Sequence, residues 1–239
     1  MDPTNDTINS TAKRKESNDW QTELMEADTF LSTIVGKEDT LARANNAGYS
    51  RAELVNAQVM VKEVWAADLV WENKQSEKDQ QYKVFKQSFR NLEKEYMGHL
   101  TKARRLFESE EDRGIARQLK LEGDRPRKFT LIINYISKFY QFALQEKEIS
   151  NKLKTRSVST ELVEQMLQMV EEVVELHHLA KKKEKIAQDA TTDRNRKLKA
   201  FHKWLRDFKA IYKRTPAPTG LADDGAPASS KKKTAAVKA

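Results

Sequence analysis

From residue 50 to residue 107 apolar side chains recur at alternating steps of three and four in a seven-residue cycle. Leu54, Val61, Tyr82, Phe89, Tyr96 and Ala103 form one series, interrupted by Asp68 and Gln75. Ala57, Val64, Trp71, Phe85, Leu92 and Leu106 form the other, interrupted by Lys78 and His99. Those are the a and d positions of a heptad, and they predict an amphipathic helix. A second stretch, 158–215, carries the same pattern and aligns without a gap when shifted back by 108. There Leu162, Met169, Leu176, Lys183, Ala190, Lys197, Trp204 and Ile211 take the phase of the first series, accompanied by Met166, Val173, Ala180, Phe201 and Phe208. Both stretches open on Glu-Leu-Val, at 53–55 and 161–163.

The first stretch has no proline and one glycine, Gly98, and keeps its phase across the polar segment 72–83. This favours one helix of about 55 residues, about 80 Å long at 1.5 Å per residue. The alternative is a hairpin bent in that polar segment. In the second stretch Thr191, Thr192, Asp193 and Asn195 are weak helix formers, which leaves the same two readings. Gly114, Gly123 and Pro126 break the chain between the copies. A middle helix over about 129–151 follows, with Phe129, Ile132, Ile133, Ile136, Phe139, Tyr140 and Ala143 on a face wide enough to need cover from both copies. A short helix is expected from the Ser17-Asn18-Asp19 cap cluster to about Val35. Residues 1–18 and 215–239 read as disordered ends, the latter rich in proline and basic at Lys231, Lys232 and Lys233. The fold class expected is all-α: an elongated, coiled-coil-like helical bundle over 19–214, built from two pseudo-repeats (about 50–107 and 158–214) around the apolar middle helix.

Several elements resemble an uncharacterised family of bacterial helical proteins with two pseudo-repeats. They are Tyr49-Ser50 before the first repeat, Tyr96-Met97-Gly98-His99-Leu100 with Ala103-Arg104 near its end, and the Leu119-x-Leu121-x-Gly123-x-Arg125 linker. Phe139-Tyr140 with Leu144, and Trp204-Leu205-Arg206-Asp207-Phe208, complete the set. The resemblance covers roughly 50–212. It implies the duplicated helical plan and carries no activity. Gly98 departs from the family pattern, in which a basic residue is common there.

Composition narrows the chemistry. In 239 residues, 38% apolar and 33% charged, seven glycines and five prolines suit helices with a thin apolar seam. The absence of cysteine excludes a disulfide framework and any thiolate nucleophile or ligand. No secretory h-region opens the chain, and the most apolar segment, 129–144, is too short and interrupted to span a bilayer, so a cytoplasmic protein is expected. Glu175-x-x-His178 has the spacing of a di-iron half-site, but no second Glu-x-x-His accompanies it. No phosphate loop, zinc helix or nucleophile elbow is present, so no enzyme, cofactor, metal or small-molecule substrate is expected.

Two constellations remain. Trp65, Trp71, Tyr82, Phe85, Phe89, Tyr96, Trp204 and Phe208 make an aromatic seam, expected to support a homo-oligomer or to dock a helical protein partner. The charge is uneven: of a net +8, the chain from Lys181 onward holds seventeen Lys/Arg against six Asp/Glu, or +11, leaving −3 for the first 180 residues. Within that part Arg196, Lys199, Lys203, Arg206 and Lys213 recur along one helical ridge, a pattern that attracts phosphate polymers such as nucleic acid. Lys181, Lys182, Lys183 and Lys185 extend it, and no aromatic is interleaved on it to stack bases. The leading expectation is a non-enzymatic structural or interaction protein acting by helical self-association. Sequence-independent nucleic-acid binding is the alternative.

Overall fold

A computed structural model describes the backbone of residues 4–123 and 126–217, and side chains within the first helix from Trp20 onward. Seven α-helices and no strand occur among the described residues: α1 Thr4–Gly36, α2 Glu38–Asn46, α3 Arg51–Leu106, α4 Arg113–Gln118, α5 Phe129–Gln145, α6 Lys147–Lys154 and α7 Thr160–Arg214. The all-α expectation holds. Each heptad stretch is one continuous helix, α3 or α7, and neither is broken into a hairpin in its polar middle.

Two boundaries differ from the sequence expectation. The first helix starts at Thr4 and runs through the Ser17–Asp19 cluster, over residues expected to be disordered. No glycine or proline interrupts 4–35, and Ala12, Lys13, Arg14, Lys15 and Glu16 are favourable helix formers. The expected middle helix over 129–151 ends at Gln145, where Glu146 is extended (φ −94°, ψ 106°). Continuing the phase of Phe139 and Ala143 would turn Lys147, Ser150 and Lys154 inward. The break re-phases the chain so that Ile149 and Leu153 are buried instead. Lys37, likewise extended, separates α1 from α2 in the same way and brings Ala44 into the core. The expected disordered tail lies outside the described residues from 218 on.

The chain divides into two compact units. The first holds the chain up to Ala67 and from Arg194 on. Its core joins Leu24, Ala27, Leu31 and Ile34 of α1, Leu54, Ala57, Val61 and Val64 of α3, and Phe201, Leu205, Phe208 and Tyr212 of α7. Burying each phenylalanine contributes about 1.5–3 kcal/mol. Tyr49 sets its ring edge-on to Phe208 at 4.8 Å and to Trp204 at 6.0 Å, so the start of α3 meets the end of α7 and the two segments run antiparallel.

The second unit holds Asp68–Asp193. Here α5 is covered from two sides, as its wide apolar face requires: Phe129 lies 5.3 Å from the rings of Phe85 and Phe89 of α3 and stacks at 4.2 Å on His177 of α7. The polar segments of α3 and α7 also meet here. Glu77 accepts from Lys183 and from Lys74, each at 2.7 Å, and Tyr82 donates to Glu184 at 3.0 Å. These two cations, Lys183 first, hold the Glu77 carboxyl down at about 2.

The buried positions of α7 lie one residue away from part of the expected seam. Val163, Met166, Val170, Val173, Phe201, Leu205, Phe208 and Tyr212 are buried, whereas Leu162, Met169 and Trp204 are half-buried and Ile211 is 46% exposed. The buried set reproduces Leu54, Ala57, Val61, Val64, Leu92, Tyr96, His99 and Ala103 of α3 at a spacing of 109, not 108. The shared Glu-Leu-Val tripeptide keeps the 108-residue spacing, and adjacent apolar pairs such as Leu162-Val163 satisfy either phase. The helix starts show the same spacing as the buried set. Ser50 and Glu53 form a reciprocal cap, Ser50 N–H donating to the carboxylate at 2.7 Å and Glu53 N–H to the Ser50 hydroxyl at 3.3 Å. Ser159, 109 residues on, accepts from Leu162 N–H at 3.3 Å.

The helices before each start end alike. Tyr49 N–H donates to Ala44 C=O across left-handed Gly48 (φ 86°), and Val158 N–H to Leu153 C=O across left-handed Ser157 (φ 59°). Both are Schellman closures with an apolar residue folded back over the last turn. The end of α4 repeats the device with Lys120 at φ 52° and Leu121 bonded to Ala116.

Candidate polyanion interface

On α7 within the first unit, Phe201, Leu205, Phe208 and Tyr212 point inward. At 100° per residue, Arg196, Lys199, Lys203, Arg206 and Lys213 fall on the opposite side, and all five are exposed. The core thus orients the ridge: burying one stripe of a helix forces the other into solvent. From Arg196 to Lys213 the ridge extends about 26 Å at 1.5 Å per residue. Lys199, Lys203 and Lys213 carry no ion pair among the described residues, and Arg206 reaches only its neighbour Asp207, at 3.5 Å.

Two recesses open along the flank of this ridge. One, of about 370 Å³, is lined by Glu23 of α1 and by His202, Leu205, Arg206, Lys209, Ala210 and Lys213 of α7. The other, of about 350 Å³, is lined by Phe30, Arg43, Lys209, Tyr212 and Lys213. They share Lys209 and Lys213. The Lys209 amine sits 5.7 Å from the centre of the Phe30 ring, and the Arg43 guanidinium 4.6 Å over that of Tyr212. Arg43 is fixed by donating to the carbonyls of Thr215 (2.7 Å) and Lys213 (3.4 Å), which cap the end of α7. Neither Phe30 nor Arg43 was marked by the sequence reading. They lie on α1 and α2, some 170 residues from their neighbours on α7.

The aromatic seam is placed differently. Phe85, Tyr96 and Phe208 are buried, and Trp65, Trp71, Tyr82, Phe89 and Trp204 are half-buried. Trp65 packs 5.9 Å from Trp20, and Trp204 stacks on Phe208 at 5.2 Å. Part of the seam thus packs against other helices of the same chain, as Trp65 does on Trp20 and Phe85 and Phe89 do on Phe129. Lys181 and Lys183 are committed to Glu184 and Glu77 in the second unit. Glu175 and His178 are exposed, and no group of three His, Asp or Glu able to hold a metal ion occurs among the described residues.

These features define a class: an all-helical protein presenting a cationic helix face beside aromatic recesses. No helix among the described residues is long and apolar enough to cross a membrane. Protein-family models, curated proteins and solved structures yield no match to the chain.

Proposed function

We propose that the protein is a non-enzymatic interaction module of the bacterial cytoplasm that binds nucleic acid without sequence preference through the outer face of α7. The observation that carries this reading is the exposure of Arg196, Lys199, Lys203, Arg206 and Lys213 on the side of the helix opposite its core. A face with a cation at nearly every turn matches the close spacing of phosphates and gains by releasing their counterions. Five neutralised phosphates predict that log K falls against log salt with a slope of about −4.5 on duplex DNA. Fluorescence anisotropy with a labelled duplex at several salt concentrations measures that slope. Changing Arg196, Lys199, Lys203 and Arg206 to glutamate abolishes binding on this reading; binding that survives the reversal removes it.

Helical self-association stands as a second reading, now resting on other residues. Val55 and Val59, one turn apart on α3 in the first unit, are 41% and 45% exposed. Light scattering that finds a monomer at tens of micromolar eliminates it.

Architecturally, α1–α2–α3 and α5–α6–α7 are read as two copies of one three-helix plan. The 109-residue spacing supports this, because it pairs Lys37 with Glu146, Gly48 with Ser157 and Ser50 with Ser159. The resemblance to bacterial two-repeat proteins agrees with it. The ridge is then a property of the second copy: its counterparts on α3 are Gln87, Arg90, Lys94, Met97 and Arg104, with Glu93 and Glu95 set among them.

A further inference from the structure

We infer that the Phe30–Lys209–Tyr212 recess receives an unstacked base, so that the strand bound by α7 is single-stranded. This rests on the nucleic-acid reading and deepens it. Lys213 belongs both to the exposed ridge and to the rims of the two recesses, and Arg206 to the ridge and the rim of the first, so a backbone held on the ridge passes beside them. A phosphate ridge alone does not distinguish duplex from single strand, because both present phosphates. A recess beside it with an aromatic wall does distinguish them, since only an unpaired base can leave its stack without breaking a pair.

The lining suits such a guest. Among the described residues no carboxylate lines the recess to repel a flanking phosphate. Phe30 is half-buried, braced edge-on by Tyr212 at 5.9 Å and tilted against Phe208 at 6.0 Å, so its ring is held in place before anything binds. Its neighbour Lys209 has no ion pair among the described residues and can turn from the ring to a phosphate. Arg43 stays on Tyr212, held by the two carbonyls at the end of α7. The volume of about 350 Å³ is large enough for one base with its sugar.

The test compares three labelled 20-mers on the full chain: a mixed-sequence single strand, its duplex, and an abasic strand that keeps the phosphates and lacks the bases. The single strand is expected to bind about tenfold more tightly than the abasic strand, the usual scale of one base–aromatic stack. Phe30→Leu keeps the apolar packing and removes the ring, and is expected to erase that advantage while leaving abasic and duplex affinity unchanged. Lys209→Gln, at a half-buried position outside the core, is expected to weaken the single strand more than the duplex. Equal binding of base-bearing and abasic strands by the unsubstituted protein overturns the inference without needing any variant. So does a Phe30→Leu protein that melts normally and binds all three 20-mers as the parent does. Failure of the parent to bind any of the three overturns the nucleic-acid reading itself.

Discussion

His99 and Tyr140 meet inside the second unit, the imidazole Nδ1 lying 2.8 Å from the phenol oxygen, with both side chains almost wholly removed from solvent. A histidine at a d position of a heptad reads as an interruption of the seam. It is accommodated because α5 brings a hydroxyl to it across the core, satisfying two polar groups at once. Removing that hydroxyl with Tyr140→Phe leaves the ring nitrogen buried and unpaired, at a cost of about 1–3 kcal/mol. Chemical denaturation of the variant measures it, and a stability equal to the parent would show that His99 finds another partner.

The same burial sets a pH dependence. Burial first, then Lys102, push the His99 pKa below its ordinary value, with Glu95 opposing; burial, then His178 and Lys181, do the same to His177. The unfolded chain titrates near the ordinary histidine value of about 6.5 and therefore takes up protons first as the pH falls. The stability these two residues contribute is complete above that value and is lost as the pH falls through their folded-state values. Thermal melts should show Tm falling between pH 7.5 and pH 5, and a His99→Phe, His177→Phe variant should fall less over that interval. Parallel curves for the two proteins would contradict the assignment.

Glu77 titrates in a lower window. With its carboxyl held at about 2 by Lys183 and Lys74, its contribution is present above the ordinary carboxylate range and is lost as the pH falls through about 2. Carbon-detected NMR of the Glu77 carboxyl should place its midpoint near that value. In Lys183→Gln the midpoint should rise towards the ordinary range, and an unmoved midpoint would show that the contact between the helices does not form in solution.

The register of α7 is tested by one buried and one exposed position. Leu205→Ala empties a fully enclosed position and should cost about 2–5 kcal/mol. Ile211→Ser, at a position 46% exposed, should stay within about 0.5 kcal/mol. Denaturation midpoints that rank the two in the reverse order would restore the 108-residue alignment.

The left-handed helix ends make opposite predictions for two related sites. Gly48→Ala should destabilise by about 1 kcal/mol from its positive φ alone, since an added Cβ meets no atom within 4 Å. Ser157→Gly, at the equivalent turn, relieves that strain and should stabilise by up to about 1 kcal/mol. Equal small losses in both variants would mean that the two turns do not share one geometry.

Local periodicity carried much of this protein. Heptad spacing over 54–106 and 162–211, with a near absence of glycine and proline, was enough for helices in both stretches, because a helix face is a property of consecutive residues, and it left open whether each ran unbroken through its polar middle. The cationic ridge was legible for the same reason, all five residues lying on one helix. Contacts between distant residues were not legible. Where two adjacent residues are both apolar, as at Leu162-Val163, only packing against α3 and α5 decides which is buried, and it chose the second. The aromatic seam could be read as free or as filled, and α1 and α5 cover part of it, at Trp65 and at Phe85 and Phe89. The ridge by itself showed no aromatic for a base; Phe30 reaches its flank from α1 because Leu24, Ala27, Leu31 and Ile34 dock that helix on the buried face of α7. Side-chain chemistry was written along the chain, and its neighbours were set by which apolar stripes closed against one another.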